Sequence, residues 1–84
     1  MANLIARKLN ISESWAPLSA DRLVGRLTIS APAGNAGSVL IKGDTGQEVP
    51  MAPGEWHTLE GVDLAEVEVK GTVGDVLTII GGTR

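Results

Sequence analysis

Apolar and polar residues alternate along most of this chain, which is the period of a β-strand with one buried face. The clearest alternation runs from Arg22 to Ala31, where only Val24 breaks the pattern. Gly25 falls on the inward side of this strand and indicates a bulge or a close approach of two backbones. The predicted inward side chains of this strand are Leu23, Leu27, Ile29 and Ala31.

Shorter segments with similar patterns predict six more strands. The last of them is apolar on both faces, so we expect it to lie centrally in a sheet or beneath a neighbouring subunit. The six segments are Leu4–Ile11, Ser38–Lys42, Gln47–Val49, Trp56–Leu59, Glu66–Lys70 and Val76–Ile80. In three of them the predicted inward residues are Ile5, Leu9 and Ile11, then Val39 and Ile41, then Val67 and Val69.

Turn residues separate these segments every ~8–12 positions, which is typical of sandwiches and small barrels. Clusters of Gly with Pro, Asn or Asp cover residues 32–37, 43–46, 53–54 and 71–75. Val62–Glu66 is predicted to form one helical turn capped by Asp63. The predicted fold class is all-β, a small antiparallel β-sandwich or jelly-roll-like barrel in a single domain. Within it, residues 1–18 are expected to form an N-terminal strand or arm ended near Pro17, and residues 19–84 the sandwich.

Composition indicates that this sandwich needs support from outside. A chain as short as these 84 residues buries only about 60% of its extended surface, so it is marginally stable by itself. It has no cysteine, one histidine, and two tryptophans as its only aromatic residues. Disulfides and Cys- or His-rich metal sites are thereby excluded, and we expect oligomerisation or docking onto a larger body.

Charge is distributed unevenly along the chain. Residues 1–43 carry five basic and two acidic residues, and residues 44–84 carry two basic and eight acidic residues. Halves of opposite sign favour head-to-tail pairing of copies, unless strands from both halves interleave and the charges average out. The negative total charge disfavours nucleic-acid binding. No apolar run approaches the ~20 residues of a membrane span and no secretion signal is visible, so we expect a protein made and acting in a cytoplasm.

Candidate chemistry is sparse. His57 is the sole candidate base, and no serine stands in the G-x-S-x-G context that favours a catalytic triad. Asp44, Glu48 and Asp75 lack the spacing of a calcium loop, although a site built from them stays an alternative. We predict no enzyme activity, no cofactor and no metal site.

The two tryptophans allow two interpretations. The ring of Trp15 or Trp56 is a platform on which a sugar can stack, which keeps a carbohydrate-binding module open as an alternative. In a chain without Phe or Tyr, we favour the interpretation that each tryptophan fills a core or a subunit interface.

From Asn35 onward, the order of turns and strands resembles a known family. The segments concerned contain an Asn turn before a strand, a Pro-Gly-Glu turn, a Val-Asp-Leu corner, and a final hairpin that begins with Gly-Asp. This order is similar to that of small jelly-roll-like β-sandwich proteins of tailed bacteriophages, of the head decoration or cement type. The segments are Asn35–Gly43, Gln47–Glu55, Val62–Gly71 and Gly74–Ile80.

The resemblance implies a virion structural protein on the capsid surface, made in the cytoplasm of a host bacterium. A decoration protein of this kind would form a homo-oligomer, with a trimer favoured, and would bind the major capsid protein to bridge capsid subunits. It would bind neither nucleic acid nor a membrane. A tail, collar or fibre-associated module is the alternative within the virion. The predicted interface residues are Leu4, Ile5, Arg7, Trp15, Trp56, Leu77 and Ile79.

Overall fold

The computed structural model describes residues 3–83. The strands in this range are β1 (Asn3–Asn10), β2 (Ala16–Pro17), β3 (Arg26–Ser30), β4 (Val39–Lys42), β5 (Val49–Met51), β6 (Trp56–Glu60), β7 (Glu68–Lys70) and β8 (Val76–Thr83). They form a first sheet with the order β1-β8-β3-β6 and a second sheet with the order β2-β7-β4-β5, both antiparallel. No helix within this range is long and apolar enough to cross a membrane.

The strand order is that of an eight-stranded jelly roll, in which the chain passes repeatedly from one sheet to the other. Between residues 3 and 83, β4 and β5 form the one consecutive pair that shares a sheet. The predicted all-β sandwich is therefore confirmed. Strands from the two halves of the sequence also alternate across each sheet, so the basic and acidic halves interleave.

The N-terminal segment is a strand of the sandwich and does not extend from it as an arm. β1 pairs with β8 along its whole length, from Asn3 opposite Thr83 to Asn10 opposite Val76. Ile5 and Leu9 pack partly against the core, on the predicted face of this strand. Residues 1, 2 and 84, which belong to the predicted domain bounds, lie outside the described residues.

The core is a single cluster between the sheets. It contains all the side chains that were predicted to point inward from the segments Arg22–Ala31 and Glu66–Lys70, which confirms the alternation as the signal for burial. Its buried members are Ile11, Leu18, Leu23, Leu27, Ile29, Ala31, Val39, Met51, Leu64, Val67, Val69, Leu77 and Ile79. The predicted close approach at Gly25 is also present, because a Cβ placed there would overlap the backbone oxygen of Gly82.

Asp63 connects the segment before β3 to the 3₁₀ turn through hydrogen bonds. This connection explains why β3 begins at Arg26 and not, as predicted, at Arg22. The Oδ1 atom of Asp63 accepts hydrogen bonds from the backbone N–H of Leu23 and of Ala65, both at 3.0 Å. The second bond caps the 3₁₀ turn Leu64–Glu66, as predicted. Because Leu23 also accepts a backbone hydrogen bond from Leu64 at 2.9 Å, it is held by these hydrogen bonds and not by a strand neighbour.

Candidate functional site

One face of the first sheet exposes large apolar side chains. Leu4, Trp56 and Ile80 are 78%, 63% and 57% exposed, although each belongs to a strand. The register of the sheet places all three on the side that points away from the core. We call this surface the outer face, and its residues are Leu4, Ala6, Lys8, Asn10, Arg26, Thr28, Ser30, Trp56, Thr58, Glu60, Val76, Thr78, Ile80 and Gly82.

Hydroxyl groups fill the centre of the outer face and hydrogen-bond to one another. The hydroxyls of Thr28 and Thr58 lie 2.9 Å apart, and those of Ser30 and Thr78 lie 2.6 Å apart. A polar group that already has a protein partner loses less when a second surface displaces water from it. The charged residues of the outer face lie away from these hydroxyl pairs or beside them at the edge: Arg26 lies opposite Glu60, and Lys8 is on the edge strand β1. The centre of this face is therefore suited to burial against another protein.

A second feature is an apolar cleft where the two sheets part between β5 and β6. It has a volume of about 300 Å³, and core residues such as Ile29 and Met51 form its floor. Val49 and Val62 line it while remaining 53% and 38% exposed. The sandwich is thus less completely closed on this side.

His57 stands at this cleft and is paired with a carboxylate. Its Nε2 lies 2.6 Å from Oε2 of Glu55, whose Oε1 accepts the backbone N–H of Ala52 at 3.1 Å. The hydrogen bond with His57, followed by that from Ala52, holds the pKa of Glu55 below its usual range. In residues 3–83, no serine or threonine hydroxyl is hydrogen-bonded to the His57 ring. Among these residues, the side-chain partner of the His57 ring is the Glu55 carboxylate.

The two tryptophans lie in different surroundings. The ammonium groups of Lys42 and Lys70 sit 4.4 and 4.9 Å from the centre of the Trp15 ring. This half-buried ring is engaged by two cations of the second sheet, whereas Trp56 stands exposed on the outer face. Of the two rings, Trp56 is the one free to contact a ligand or partner.

The structure separates the predicted interface residues into three groups. Leu4 and Trp56 lie on the outer face. Ile5 and Trp15 are half-buried, and Arg7 is exposed at the sheet edge. The other two strand residues correct the prediction, because Leu77 and Ile79 are 0% and 1% exposed and belong to the protein's own core.

Ile80 is the large exposed apolar residue of the outer face that was not predicted as an interface residue. The signal was present, since the last strand is apolar on both faces and one of those faces has to point outward. The alternation alone did not say which face of β8 the core would cover. The second sheet covers the face of Leu77 and Ile79, and Ile80 is left exposed on the other.

The three acidic residues considered for calcium do not form a site. The carboxylate of Asp75 is buried, and its two oxygens accept the backbone N–H groups of Ala36 and Gly37 at 2.8 and 3.0 Å. In the part of the chain that the structure describes, no three His, Cys, Asp or Glu residues come together in a group that could hold a metal ion. Asp75 instead organises the loop before β4.

Comparison with known proteins finds no relative: no protein-family model, no curated protein and no solved structure matches this chain. The resemblance to phage decoration proteins accordingly stays a prediction.

Proposed function

We propose that this protein is a structural assembly protein that docks onto a larger protein surface through the outer face of its first sheet. The observation that carries this proposal is the exposure of Leu4, Trp56 and Ile80 on a single sheet face. Burial of such side chains is favourable by about 1.5–3 kcal/mol each when it is complete. The paired hydroxyls between them lower the cost of removing water from the same surface.

The setting that we propose is the virion of a tailed bacteriophage, where the protein would reinforce the head as a capsid decoration protein. Two observations support this setting: the order of turn motifs from Asn35 onward, and the jelly-roll strand order, which viral capsid domains also use. A fold serves many functions, so the surface must supply the rest. Many copies bound to one capsid would attach firmly through avidity, even if each single contact has a modest affinity. In the alternative setting, a tail, collar or fibre, the protein would dock through the same outer face.

The first test asks whether the protein belongs to virions. Virions are purified on a density gradient from a phage-producing bacterial culture that expresses this chain. The gradient fractions are then probed with an antibody against the protein. We expect the protein in the virion fractions and antibody label on heads in electron micrographs. Label confined to tails would move the proposal to the tail alternative. Protein that stays in the soluble fractions, with virions present and unlabelled, would overturn it.

A matched pair of variants tests the outer face directly. Ile80→Thr removes an exposed apolar side chain from the face, and Val73→Thr removes one that is 66% exposed in the turn before β8. We expect Ile80→Thr to weaken co-sedimentation with purified heads, and Val73→Thr to leave it unchanged. Trp56→Ala should have the larger effect, about 30-fold or more in affinity, because exposed aromatic residues often dominate interfaces. Equal binding by Ile80→Thr and the wild type would count against the face.

Carbohydrate binding is the second candidate, and one observation favours it. Trp56 is exposed and stands opposite Ser30 in the register, so a ring face and hydroxyl groups lie side by side. Binding on a glycan array that is lost in Trp56→Ala but kept in Ile80→Thr would support a sugar site. A wild type that binds no glycan on the array would count against a sugar site and leave protein docking as the function of this face.

A further inference from the structure

The two sheets differ at their edges. Both edge strands of the second sheet contain a proline, Pro17 in β2 and Pro50 in β5. Proline has no N–H to donate, so it blocks the addition of a further strand. β1 and β6, the edge strands of the first sheet, contain no proline. No strand from residues 3–83 lies beside their outer sides. The first sheet alone therefore keeps two edges suited to strand addition.

These two open edges carry opposite charges. β1 contains Arg7 and Lys8 and no acidic residue. β6 ends at Glu60 and is preceded directly by Glu55. Although the two halves of the sequence interleave within the sheets, their opposite signs reappear at the opposite edges of the first sheet.

The register of the sheet shows which charges can meet across these edges: Arg7 is level with His57, two residues from Glu55, whereas Lys8 and Glu60 lie four positions apart. Lys8 pairs in register with Thr78 and Glu60 with Arg26, which places Lys8 and Glu60 on the outer face. Arg7 lies on the inner side, and Glu55 lies on that side as well, because its carboxylate bonds the inward-pointing His57.

Strand direction permits the two edges to join. β1 is antiparallel to β8, β8 to β3, and β3 to β6, so β6 runs antiparallel to β1. A second copy placed beside the first in the same orientation therefore presents its β1 antiparallel to β6. Inner and outer faces are preserved in this arrangement. The two sheets then form one continuous antiparallel sheet across the boundary.

We infer that copies of this chain associate head to tail, with β1 of one copy added to β6 of the next. Backbone hydrogen bonds supply the pairing, and Arg7 of one copy lies diagonally across from Glu55 of its neighbour when the register of the sheet continues unshifted. Pairing of like edges is disfavoured, because β1 against β1 would oppose basic residues and β6 against β6 acidic ones. Such a heterologous contact closes into a ring or continues as a filament. The inference does not depend on what the outer face binds.

The association would also enlarge the outer face. Trp56 stands on β6 and Leu4 on β1, at opposite edges of the same sheet. In the continuous sheet, Trp56 of one copy lies on the strand next to β1 of the following copy. The outer faces of the two copies then form one surface, on which Trp56 stands beside Lys8 of the following copy.

Charge-reversal variants test this arrangement. Mass is measured by light scattering over a dilution series for the wild type, Arg7→Glu, Glu55→Lys and an equimolar mixture of the two variants. We expect the wild type to be oligomeric, and each variant alone to dissociate at a concentration at least about tenfold higher. The mixture should recover assembly, since each variant keeps one native edge and the altered edges complement one another. Asp21→Lys, an exposed reversal outside both edges, is the matched control and should assemble like the wild type.

The result that would overturn the inference is equally specific. A wild type that is monomeric at every concentration excludes edge pairing, as does an Arg7→Glu variant that assembles more tightly alone, which would indicate β1 against β1. Circular dichroism must show that each variant is folded. Hydrogen exchange gives a second readout, since β6 amides should be better protected in the concentrated than in the dilute protein. A monomer that still co-purifies with virions would remove this inference and leave the proposed function intact.

Discussion

Asn35 and Val76 exchange two hydrogen bonds across 41 positions of the sequence. The amide nitrogen of Asn35 donates to the backbone oxygen of Val76 at 2.8 Å, and the N–H of Val76 donates to the Asn35 side-chain oxygen at 3.0 Å. Asp75, the preceding residue, accepts two N–H groups from the same loop. The loop before β4 is thereby fastened to the first residue of β8.

This fastening predicts a large loss of stability when Asp75 is removed. Asp75→Ala leaves two backbone N–H groups without their acceptor, which costs about 2–4 kcal/mol in the free energy of unfolding. Asp75→Asn keeps one acceptor oxygen and should lose less. Urea denaturation followed by circular dichroism measures both variants. An unchanged midpoint for Asp75→Ala would show that the loop does not depend on this carboxylate.

Two glycines in different surroundings give a second prediction. A Cβ at Gly81 would overlap the backbone oxygen of Arg26 and lie 2.7 Å from Cα of Leu27, both on the neighbouring strand. Backbone atoms in mid-sheet cannot move aside cheaply, so Gly81→Ala should destabilise the fold by about 2 kcal/mol or more. Gly43→Ala is the control, because nothing lies within 4 Å of the added Cβ. Thermal melting should separate the two, and equal melting temperatures would contradict the close approach of β3 and β8.

The corner at Asp63 predicts how stability depends on pH. Hydrogen bonds from the N–H groups of Leu23 and then Ala65 hold the pKa of Asp63 below its usual range. A carboxyl whose pKa is lower in the folded protein stabilises it above the unfolded pKa, and this contribution is lost as the pH falls through the folded pKa. We therefore expect part of the loss of stability below about pH 4 to come from this residue.

The variant Asp63→Asn checks this assignment. It should be less stable than the wild type at pH 7 and should show a shallower decline of the urea midpoint between about pH 4 and pH 2, because the amide does not ionise. Asp21→Asn, which alters an exposed aspartate in the loop before β3, should decline like the wild type. Parallel curves for Asp63→Asn and the wild type would contradict the role of the carboxylate.

The placement of the predicted interface residues gives the fourth prediction. Leu77 is fully buried in the core, whereas Leu4 is 78% exposed on the outer face. Leu77→Ala should therefore reduce the free energy of unfolding by about 2–5 kcal/mol, through lost apolar contact and the cavity left behind. Leu4→Ala should change the stability of the folded monomer little. Denaturation at low protein concentration compares the two, and a tolerant Leu77→Ala would mean that β8 is not a core strand.

Much of the burial pattern could be read from the sequence. The alternation around Leu27 and Ile29 identified their inward side, and Asp63 was recognised as a cap from its place before a short helical turn. β2 escaped prediction because two residues, Ala16 and Pro17, are too few to show a period. The exposure of the Ile80 side chain was not predicted for another reason, since a strand that is apolar on both sides does not reveal which side the core will cover.

The sequence by itself determined which residues alternate between the two sides of each strand and where the chain turns, because both properties arise from neighbours within a few positions. Only the tertiary structure decided which strands lie side by side. β1 meets β8 at the other end of the chain, and β3 lies between β8 and β6. These pairings join residues tens of positions apart, which no local period encodes. They place Leu4, Trp56 and Ile80 on one face and set basic and acidic strands at opposite edges.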